Sequence, residues 1–286
     1  KLMEDAIRLK NQGVDILTFA DSPTGRARAD SFLIASKVVN ETGVRVMPHI
    51  CCRDKNEIAV RSQILGAHIN GIRDVLAVTG DPIPKASRGS VRGVFSFDSV
   101  RLMRLIAAMN GELFAKDPIR FGGAVNYTRA NLDVEADRIL RKAEAGASFF
   151  LTQPVYGKRD VETILWLKRR TGAVILVGLM PLIGLRNAVF VKNELPGIRV
   201  PDALVERYER ESGGDGDGGD GNAAAAAGGG NSAAAGGAGR EAGERIGVEA
   251  ARDVIRATAA EADGYYFILP FNRVHLVPRI LEGGLL

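Results

Sequence analysis

Short runs that are apolar throughout alternate along the chain with longer segments whose apolar residues recur at helical spacing. Continuously apolar runs are typical of parallel strands that helices cover on both faces, whereas half-exposed strands alternate apolar and polar positions. The runs predict seven strands, at residues 14–19, 44–50, 74–79, 119–125, 148–152, 173–179 and 265–269. The chain is therefore predicted to form a parallel sheet of the α/β class.

The intervening segments predict nine helices, at residues 2–11, 29–40, 56–70, 96–110, 133–145, 160–170, 188–194, 202–211 and 244–262. Repeated strand–helix units form either an open doubly wound sheet or a closed (β/α)8 (TIM) barrel. Seven strands are too many for a single Rossmann half, and no G-x-G-x-x-G run follows any strand, so the barrel is favoured. Because the chain opens on a helix, we expect the first barrel strand to be missing here and to lie upstream of Lys1 in a longer native protein.

One segment departs from the pattern. Residues 212–243 are almost entirely Gly, Ala and Asp with a few Asn and Ser. Such a composition cannot bury enough apolar surface to offset the entropy of ordering the chain. We therefore predict a disordered insertion without a catalytic role, which divides the barrel into residues 1–211 and 244–286.

Composition narrows the class of protein. The net charge of +4 over 286 residues, without a compact Lys/Arg block, does not predict a nucleic-acid binder. The two cysteines, Cys51 and Cys52, are adjacent, a spacing that rarely satisfies disulfide geometry. No apolar run approaches the ~20 residues of a membrane span, and no signal peptide opens the chain. We expect a cytoplasmic protein with no membrane partner, and a homo-oligomer is compatible with the sequence.

In a (β/α)8 barrel the chemistry sits where strands end and loops begin. The residues there are mostly small, polar and uncharged: Asp21, His49, Thr79, Gly80, Asp81, Asn126, Gln153 and Arg273. No lysine ends a strand, which argues against a Schiff-base aldolase. The three histidines show no H-x-H or E-x-x-H pairing, so no metal site is predicted. The set suits a large organic cofactor held by hydrogen bonds.

Spacing alone leaves several of these residues with two interpretations. Asp81, in a T-G-D-P turn, either acts in the site or caps the next segment. His49 is either a ligand or a buried hydrogen-bonding residue, and Arg273 either binds an anionic group or forms a surface ion pair. Gln153 is the most informative, because glutamine is uncommon at the mouth of an apolar strand and its amide offers a heterocycle both a donor and an acceptor.

Five longer runs occur in the order PHICCRDKN, IRDVLAVTGDP, AEAGASFFLTQPVY, VGLMPLIGLRNAVFVKNELPGIRVP and GYYFILPFNR. Together they resemble the methylenetetrahydrofolate reductase family, and most of all the reductase half of bacterial bifunctional proteins with an upstream homocysteine S-methyltransferase domain. The resemblance implies a flavin-binding (β/α)8 barrel that holds FAD. It implies reduction of 5,10-methylenetetrahydrofolate to 5-methyltetrahydrofolate by ping-pong hydride transfer from NADH or NADPH, in one-carbon and methionine metabolism.

Carried over position by position, the resemblance assigns a role to individual residues. The cofactor-binding residues are His49, Thr79, Gly80, Asp81, Phe95, Ser96, Asn126, Glu135 and Lys142. The substrate-binding residues are Gln153, Leu185 and Arg273. Asp81 and Gln153 are also the predicted catalytic residues. The charge of Asp81 would disfavour an anionic reduced flavin and stabilise a cationic iminium form of the substrate, and Gln153 would bind folate and nicotinamide in turn.

The sequence also departs from the family pattern. Thr79 stands where arginine is common, Asn126 and Glu135 where relatives have His and Asp, and Leu185 where some relatives have a stacking phenylalanine. The resemblance places the general acid, a glutamate on the first strand, ahead of Lys1. Two other functions stay open: a different barrel lyase or transferase for a phosphorylated substrate, and a non-catalytic flavin-binding remnant that supports an upstream methyltransferase domain.

Overall fold

The structure is a computed structural model, and it describes residues 1–195, 197–212 and 237–284 of the chain. Within those residues the seven predicted strands are all present. They are β1 Ile16–Phe19, β2 Arg45–Cys51, β3 Asp74–Val78, β4 Arg120–Val125, β5 Phe149–Pro154, β6 Ile175–Leu179 and β7 Gly264–Phe267. Their bounds differ from the predicted ones by one or two residues at most ends.

Ten α-helices are described. They are α1 Leu2–Asn11, α2 Ser31–Thr42, α3 Glu57–Ile69, α4 Ser99–Leu113, α5 Leu132–Glu144, α6 Lys158–Thr171, α7 Leu185–Glu194, α8 Asp202–Glu211, α9 Gly237–Thr258 and α10 Leu276–Leu281. Within the described residues no helix combines the length and the apolar character that crossing a bilayer requires.

The strands form one sheet in which each strand lies beside the next strand of the chain, in the order β1 to β7. The pairs with a defined register are parallel, for example Asp74 of β3 beside Arg120 of β4 and Leu176 of β6 beside Gly264 of β7. Parallel neighbours joined by helices, in strict chain order, are the arrangement of a (β/α)8 barrel. The α/β class is confirmed, and the sheet is that of a TIM-barrel-like fold with one strand missing.

Side-chain caps explain where several helices begin. The Asp30 carboxylate accepts hydrogen bonds from Phe32 N and Leu33 N at the start of α2. Asn56 caps α3 in the same way, and Asp98 caps α4. A capping Asp or Asn satisfies backbone N–H groups that the first turn leaves without partners. The cap at Asp98 explains why α4 begins three residues later than the predicted position 96.

Contacts divide the chain into two compact units. The N-terminal unit comprises Lys1–Ala124 with Asp137–Phe150, and the C-terminal unit comprises Val125–Ala136 with Leu151–Leu286. In the N-terminal unit the strand residues Ile50, Val75 and Ala77 are fully buried. In the C-terminal unit a buried cluster includes Leu182, Val191, Tyr208 and Ile246.

Two features of the C-terminal unit were not predicted from the sequence. Helix α9 begins at Gly237, whereas the predicted helix begins at residue 244, because glycine and alanine there give no apolar periodicity. Residues 213–236 of the predicted insertion 212–243 lie outside the described part of the chain. Helix α10 was missed because it has six residues and contains Pro278, although it buries Leu276 and Ile280.

Candidate functional site

In the N-terminal unit, the Asp81 carboxylate is held by the turn that follows β1. Asp81 lies just beyond the carboxyl end of β3, and its Oδ2 accepts a hydrogen bond from Thr24 N at 2.6 Å. Ser22 and Thr24 both have positive φ, at 44° and 57°. A non-glycine residue in this region carries about 1–3 kcal/mol of backbone strain. The turn tolerates that strain where it presents an amide to Asp81.

Glycine 25 ends the same turn at a close approach between two loops. Its φ is +68°, and a methyl group on it would lie 2.7 Å from Pro84 Cδ and 2.9 Å from Pro82 O. Only glycine fits both the left-handed backbone and that spacing. The turn after β1 is therefore packed directly against the Asp81–Pro84 loop.

Arg53 connects these two loops by donating hydrogen bonds to both. It follows β2, its side chain is only 2% exposed, and its Nη2 donates to Ser22 O at 3.0 Å while Nη1 donates to Asp81 O at 3.3 Å. Its Nε and Nη2 also bind the two carboxylate oxygens of Asp54, at 2.7 and 2.6 Å. The hydrogen bonds from Arg53 lower the pKa of Asp54 below its usual value. The pair therefore stays ionised.

The predicted cofactor residues Thr79, Gly80 and Phe95 lie around the segment that carries Arg53. Thr79 O accepts a hydrogen bond from Cys52 N at 3.2 Å, and Phe95 N donates to Cys52 O at 3.1 Å. A methyl group on Gly80, whose φ is +93°, would lie 3.2 Å from Arg53 Cβ. The Phe95 side chain is 41% exposed and its φ is 38°. Ser96, which follows it, is exposed.

His49 lies on β2 of the N-terminal unit and carries a buried nitrogen without a partner. Its Nε2 is buried and has no hydrogen-bond partner among the described residues. Burial lowers the pKa of His49 to about 4, although the charge of Asp21 opposes the shift. The ring is therefore neutral at pH 7. A buried, unsatisfied polar atom costs free energy unless a ligand or water supplies its hydrogen bond.

Three groups near the end of β2 lie close enough together to be considered as metal ligands. They are Asp21, Cys51 and Asp54, whose ligand atoms lie within 4.8 Å of one another. Lys55 Nζ binds Asp21 Oδ2 at 2.6 Å, and Arg53 binds Asp54. Burial raises the pKa of the Cys51 thiol to about 11. With both carboxylates paired and the thiol protonated, the set forms an ion-pair network.

Lys142 is a buried lysine of α5. Its side chain lies in the N-terminal unit, where Nζ donates to Ala124 O at 2.5 Å. A buried ammonium is a strong binder of phosphate oxygens. The hydrogen bond to Ala124 O places this ammonium beside the end of β4.

In the C-terminal unit, Asn126 and Glu135 are joined to each other. Glu135 is almost fully buried. Its Oε1 accepts a hydrogen bond from Asn126 N at 2.9 Å, and its Oε2 accepts one from Arg129 Nε at 2.9 Å. The Asn126 Oδ1 in turn accepts from Thr128 Oγ1 at 2.8 Å. Glu135 therefore fixes the backbone at Asn126.

Gln153 is placed on β5 by close contact with β6. A methyl group on Gly178 would lie 2.8 Å from Gln153 O and 2.9 Å from Thr152 O, so the strands meet there without room for a side chain. On its other side, the Gly197 Cβ position is 3.8 Å from Gln153 Cγ and 3.9 Å from Asn126 Oδ1. The structure therefore brings Gln153 and Asn126 together beside the turn at Gly197.

The turn at Gly197 is anchored by Arg199. The Arg199 Nη2 forms an ion pair with Asp160 Oδ1 at 2.8 Å, and the guanidinium stacks over the Tyr127 ring, 5.8 Å from its centroid. Asp160 is 4% exposed at its side chain, and burial raises its pKa. The ion pair between Arg199 and the buried Asp160 sets the path of the chain next to Gln153.

The two remaining predicted substrate residues occupy different surroundings. Leu185 is the first residue of α7 and packs against the buried cluster of the C-terminal unit. Arg273 forms an ion pair with Glu244, which also binds His275 at 2.9 Å and Arg279 at 3.0 Å. Its side chain is 14% exposed, and its buried Nε has no hydrogen-bond partner among the described residues.

The sequence did not identify Thr24, Arg53, Gly178 or Glu244 as residues that support the predicted site. Thr24 contacts Asp81 through its backbone N–H, so its residue type does not indicate that contact in the sequence. Arg53 and Glu244 resemble ordinary surface charges in the sequence, because burial of a charge depends on partners that are distant along the chain. The available signal for Arg53 was its place three residues after the predicted strand 44–50, within the run PHICCRDKN.

A sequence model of the methylenetetrahydrofolate reductase family matches residues 1–217. The chain belongs to the methylenetetrahydrofolate reductase family. A protein of Caenorhabditis elegans, "Probable methylenetetrahydrofolate reductase (NADPH)", is 24% identical over 182 residues, which are 62% of this chain and 26% of that protein. The "5,10-methylenetetrahydrofolate reductase" of Escherichia coli K12 is 22% identical over 198 residues, 68% of this chain and 62% of that protein.

The chain thus spans about a quarter of the C. elegans protein and about three fifths of the E. coli protein. Among solved structures it is similar to 2,3-dimethylmalate lyase, with a TM-score of 0.46 and 13% identity over 62% of each chain. Oxaloacetate acetylhydrolase matches with a TM-score of 0.46 and 12% identity, over 64% of this chain and 67% of that one. Likenesses of this strength do not bear on function.

The residues of the N-terminal unit fit the FAD that the family resemblance implies. The unpartnered His49 Nε2 offers a hydrogen bond, and the Lys142 ammonium suits a phosphate. In the C-terminal unit the exposed Asn126 is available for contact, whereas both carboxylate oxygens of Glu135 are taken by protein donors.

Proposed function

We propose that the protein is an FAD-dependent enzyme that reduces 5,10-methylenetetrahydrofolate to 5-methyltetrahydrofolate, with NAD(P)H as the electron donor. One NAD(P)H and one proton are consumed for each methyl group formed. The observation that carries the proposal is the family match over residues 1–217, which includes Asp81 and Gln153 at the ends of their strands. Bound FAD would supply a two-electron carrier that NAD(P)H and folate use in turn, giving ping-pong kinetics.

Residues of the N-terminal unit would hold the cofactor and supply a charge. His49, Thr79, Gly80, Phe95, Ser96 and Lys142 are the proposed contacts. The Asp81 carboxylate, oriented by Thr24 N, would stabilise a cationic iminium form of the folate by charge. Because the iminium cation forms only in the folate half-reaction, loss of the Asp81 charge is expected to slow that half-reaction more than the oxidation of NAD(P)H.

Residues of the C-terminal unit would bind and orient the substrates. The Gln153 amide offers a donor and an acceptor, which suits both a pterin and a nicotinamide carboxamide. Arg273, with an unpartnered buried Nε, would bind a carboxylate of the folate, and Leu185 would give apolar contact. Asn126 would contact the cofactor, with Glu135 holding its backbone in place.

The two half-reactions test this proposal separately. The purified protein, reconstituted with FAD, is expected to be yellow, to lose flavin absorbance with NAD(P)H under anaerobic conditions, and to regain it with 5,10-methylenetetrahydrofolate. Asp81→Asn should keep its flavin and slow the folate half-reaction about 100-fold, in the range of electrostatic stabilisers. The exposed Asp133 on α5, changed to Asn, is the control. Failure to bind FAD, or equal slowing of both half-reactions by Asp81→Asn, would contradict the proposal.

A further inference from the structure

A buried arginine lies next to the loop of the proposed catalytic aspartate without facing that carboxylate. Arg53 makes three kinds of contact: with the Asp54 carboxylate, with Ser22 O at 3.0 Å and with Asp81 O at 3.3 Å. At 2% exposure, its guanidinium is shielded from solvent. A buried charge of this kind costs free energy unless its donors are satisfied, so its partners are held firmly in place.

Those partners lie on both loops that determine where the Asp81 carboxylate points. Ser22 opens the turn whose next-but-one residue, Thr24, donates its N–H to Asp81 Oδ2 at 2.6 Å. Arg53 binds the backbone at Ser22 and at Asp81, so it sets the distance between the donor and the acceptor of that hydrogen bond. Gly25 sets the same distance from the other side, through its close approach to Pro82 and Pro84.

We infer that Arg53 is a positioning residue that fixes the Asp81 carboxylate through the turn Ser22–Gly25. The inference rests on the proposed function for its catalytic meaning, because Asp81 is there the group that stabilises a positive charge on folate. Arg53 itself touches neither substrate nor cofactor in this arrangement. Its contribution is to keep the Thr24 N–H in contact with Asp81 Oδ2, so that the carboxylate has one orientation before substrate binds.

The chain offers a closely matched control. Arg73 binds one carboxylate, Asp117, through Nε at 2.6 Å, and two backbone carbonyl groups, His68 O at 2.7 Å and Ile72 O at 3.0 Å. It thus has the same types of contact as Arg53. It precedes β3, however, whereas Asp81 follows it. Arg73→Lys should disturb the fold to a similar or smaller extent without changing the contacts of Asp81.

The first experiment does not depend on enzymatic activity. Hydrogen–deuterium exchange of the Thr24 amide is measured in the 286-residue protein and in Arg53→Lys, Gly25→Ala and Arg73→Lys. Exchange should become about three- to tenfold faster in Arg53→Lys and in Gly25→Ala, the range for loss of one net hydrogen bond. It should be unchanged in Arg73→Lys. Unchanged Thr24 exchange in Arg53→Lys would overturn the inference even if the protein proves to be an active reductase.

The second experiment asks whether Arg53 acts through Asp81. Arg53→Lys should slow the folate half-reaction about tenfold or more, since small misplacement of a catalytic group costs up to about 100-fold. Flavin content and the nicotinamide half-reaction should be preserved. In the Asp81→Asn background, Arg53→Lys should add almost nothing, whereas additive losses would show that Arg53 acts elsewhere and would reject the inference. If no reductase activity exists, the proposed function fails, and the Thr24 exchange experiment still decides the positioning.

Discussion

At the scale of single residues, the N-terminal unit separates the groups that carry charge from those that do not. Arg53 forms an ion pair with Asp54, and Lys55 forms one with Asp21. The imidazole of His49 and the thiol of Cys51 are kept neutral by burial, with pKa values of about 4 and about 11. The Asp81 carboxylate is exposed and accepts one hydrogen bond from a backbone N–H. Charge is therefore available to a ligand at Asp81, while the neutral His49 ring can offer a hydrogen bond.

His49 gives a prediction for stability against pH. Its pKa in the folded protein is about 4, below the ordinary 6.5, so unfolding takes up a proton in the interval between the two values. The stability that the neutral ring contributes is present above about pH 6.5 and is lost as the pH falls from there towards 4. From pH 7 to pH 5 without added cofactor, the wild-type protein should lose about 1–2 kcal/mol more unfolding free energy than His49→Gln.

Urea unfolding at the two pH values measures that difference. What is compared is the change in unfolding free energy between pH 7 and pH 5 in each protein. A loss of stability in His49→Gln that is equal at both pH values therefore does not affect the comparison. Equal losses in the two proteins between pH 7 and pH 5 would show that His49 is not held neutral by burial.

At the scale of elements, the approach of β6 to β5 is what places Gln153. Gly178 N donates to Thr152 Oγ1 at 2.8 Å, and Val155 N donates to Gly178 O at 3.0 Å. Both contacts are formed where a methyl group on Gly178 would meet backbone atoms at less than 3.0 Å. Backbone cannot rotate away as a side chain can, so the strand would have to shift.

Gly178→Ala should therefore be strongly destabilising. We expect a loss of about 1–3 kcal/mol in unfolding free energy, as for an overpacked core, together with weaker binding of any ligand of Gln153. The matched control is Gly66→Ala in α3, where a methyl group would meet nothing within 4 Å. That change should stabilise the protein by about 0.5–1 kcal/mol, because alanine is the better helix former. Chemical denaturation compares the two, and similar effects of both substitutions would refute the argument for β5 and β6.

Helices were predictable from the sequence where apolar residues recur regularly at helical spacing, and less so where that periodicity is weak. Helix α1 begins and ends at the predicted residues, because its apolar positions recur at helical spacing between clear boundaries. The first residues of α9 lie in a Gly/Ala stretch without periodicity, and Pro278 conceals α10. The motif around Asp81 was visible in the sequence. The hydrogen bond from Thr24, 57 residues away along the chain, was not, because backbone donors of a folded turn leave no mark on residue type.

At the scale of the whole molecule, the chain combines a family match over residues 1–217 with a sheet whose seven strands follow chain order. The match depends on residue identities over 1–217, and the strand order depends on backbone hydrogen bonds of the whole sheet. The identities to the two relatives are low, 24% and 22%, so most residues of the chain differ from theirs. The proposed roles therefore depend on the particular contacts of Asp81, Gln153 and Arg53.

The segment 213–236 permits a test of which parts of the molecule the fold requires. The described residues on either side of it lie close together in the C-terminal unit, since the Cβ position of Gly239 lies 3.1 Å from Ser212 O. Beside them, α8 and α9 are joined by ion pairs of Arg245 with Glu211, at 2.9 Å, and of Arg207 with Glu249. The ends are thus fixed by contacts outside the segment, and a few residues would suffice to connect them.

Replacing residues 213–236 by four Gly/Ser residues should then leave the flavin content and both half-reactions unchanged. It should raise the unfolding free energy by about 1.5 kcal/mol, because closing a shorter loop costs less entropy. A scrambled segment of the original length is the control, and it should match the wild-type protein in both stability and activity. If the short linker destabilised the protein, or if scrambling did so, the segment would have to make specific contacts. The sequence-based prediction of a disordered insertion without a catalytic role would then be wrong, since a chain that makes no contacts cannot be sensitive to the order of its residues.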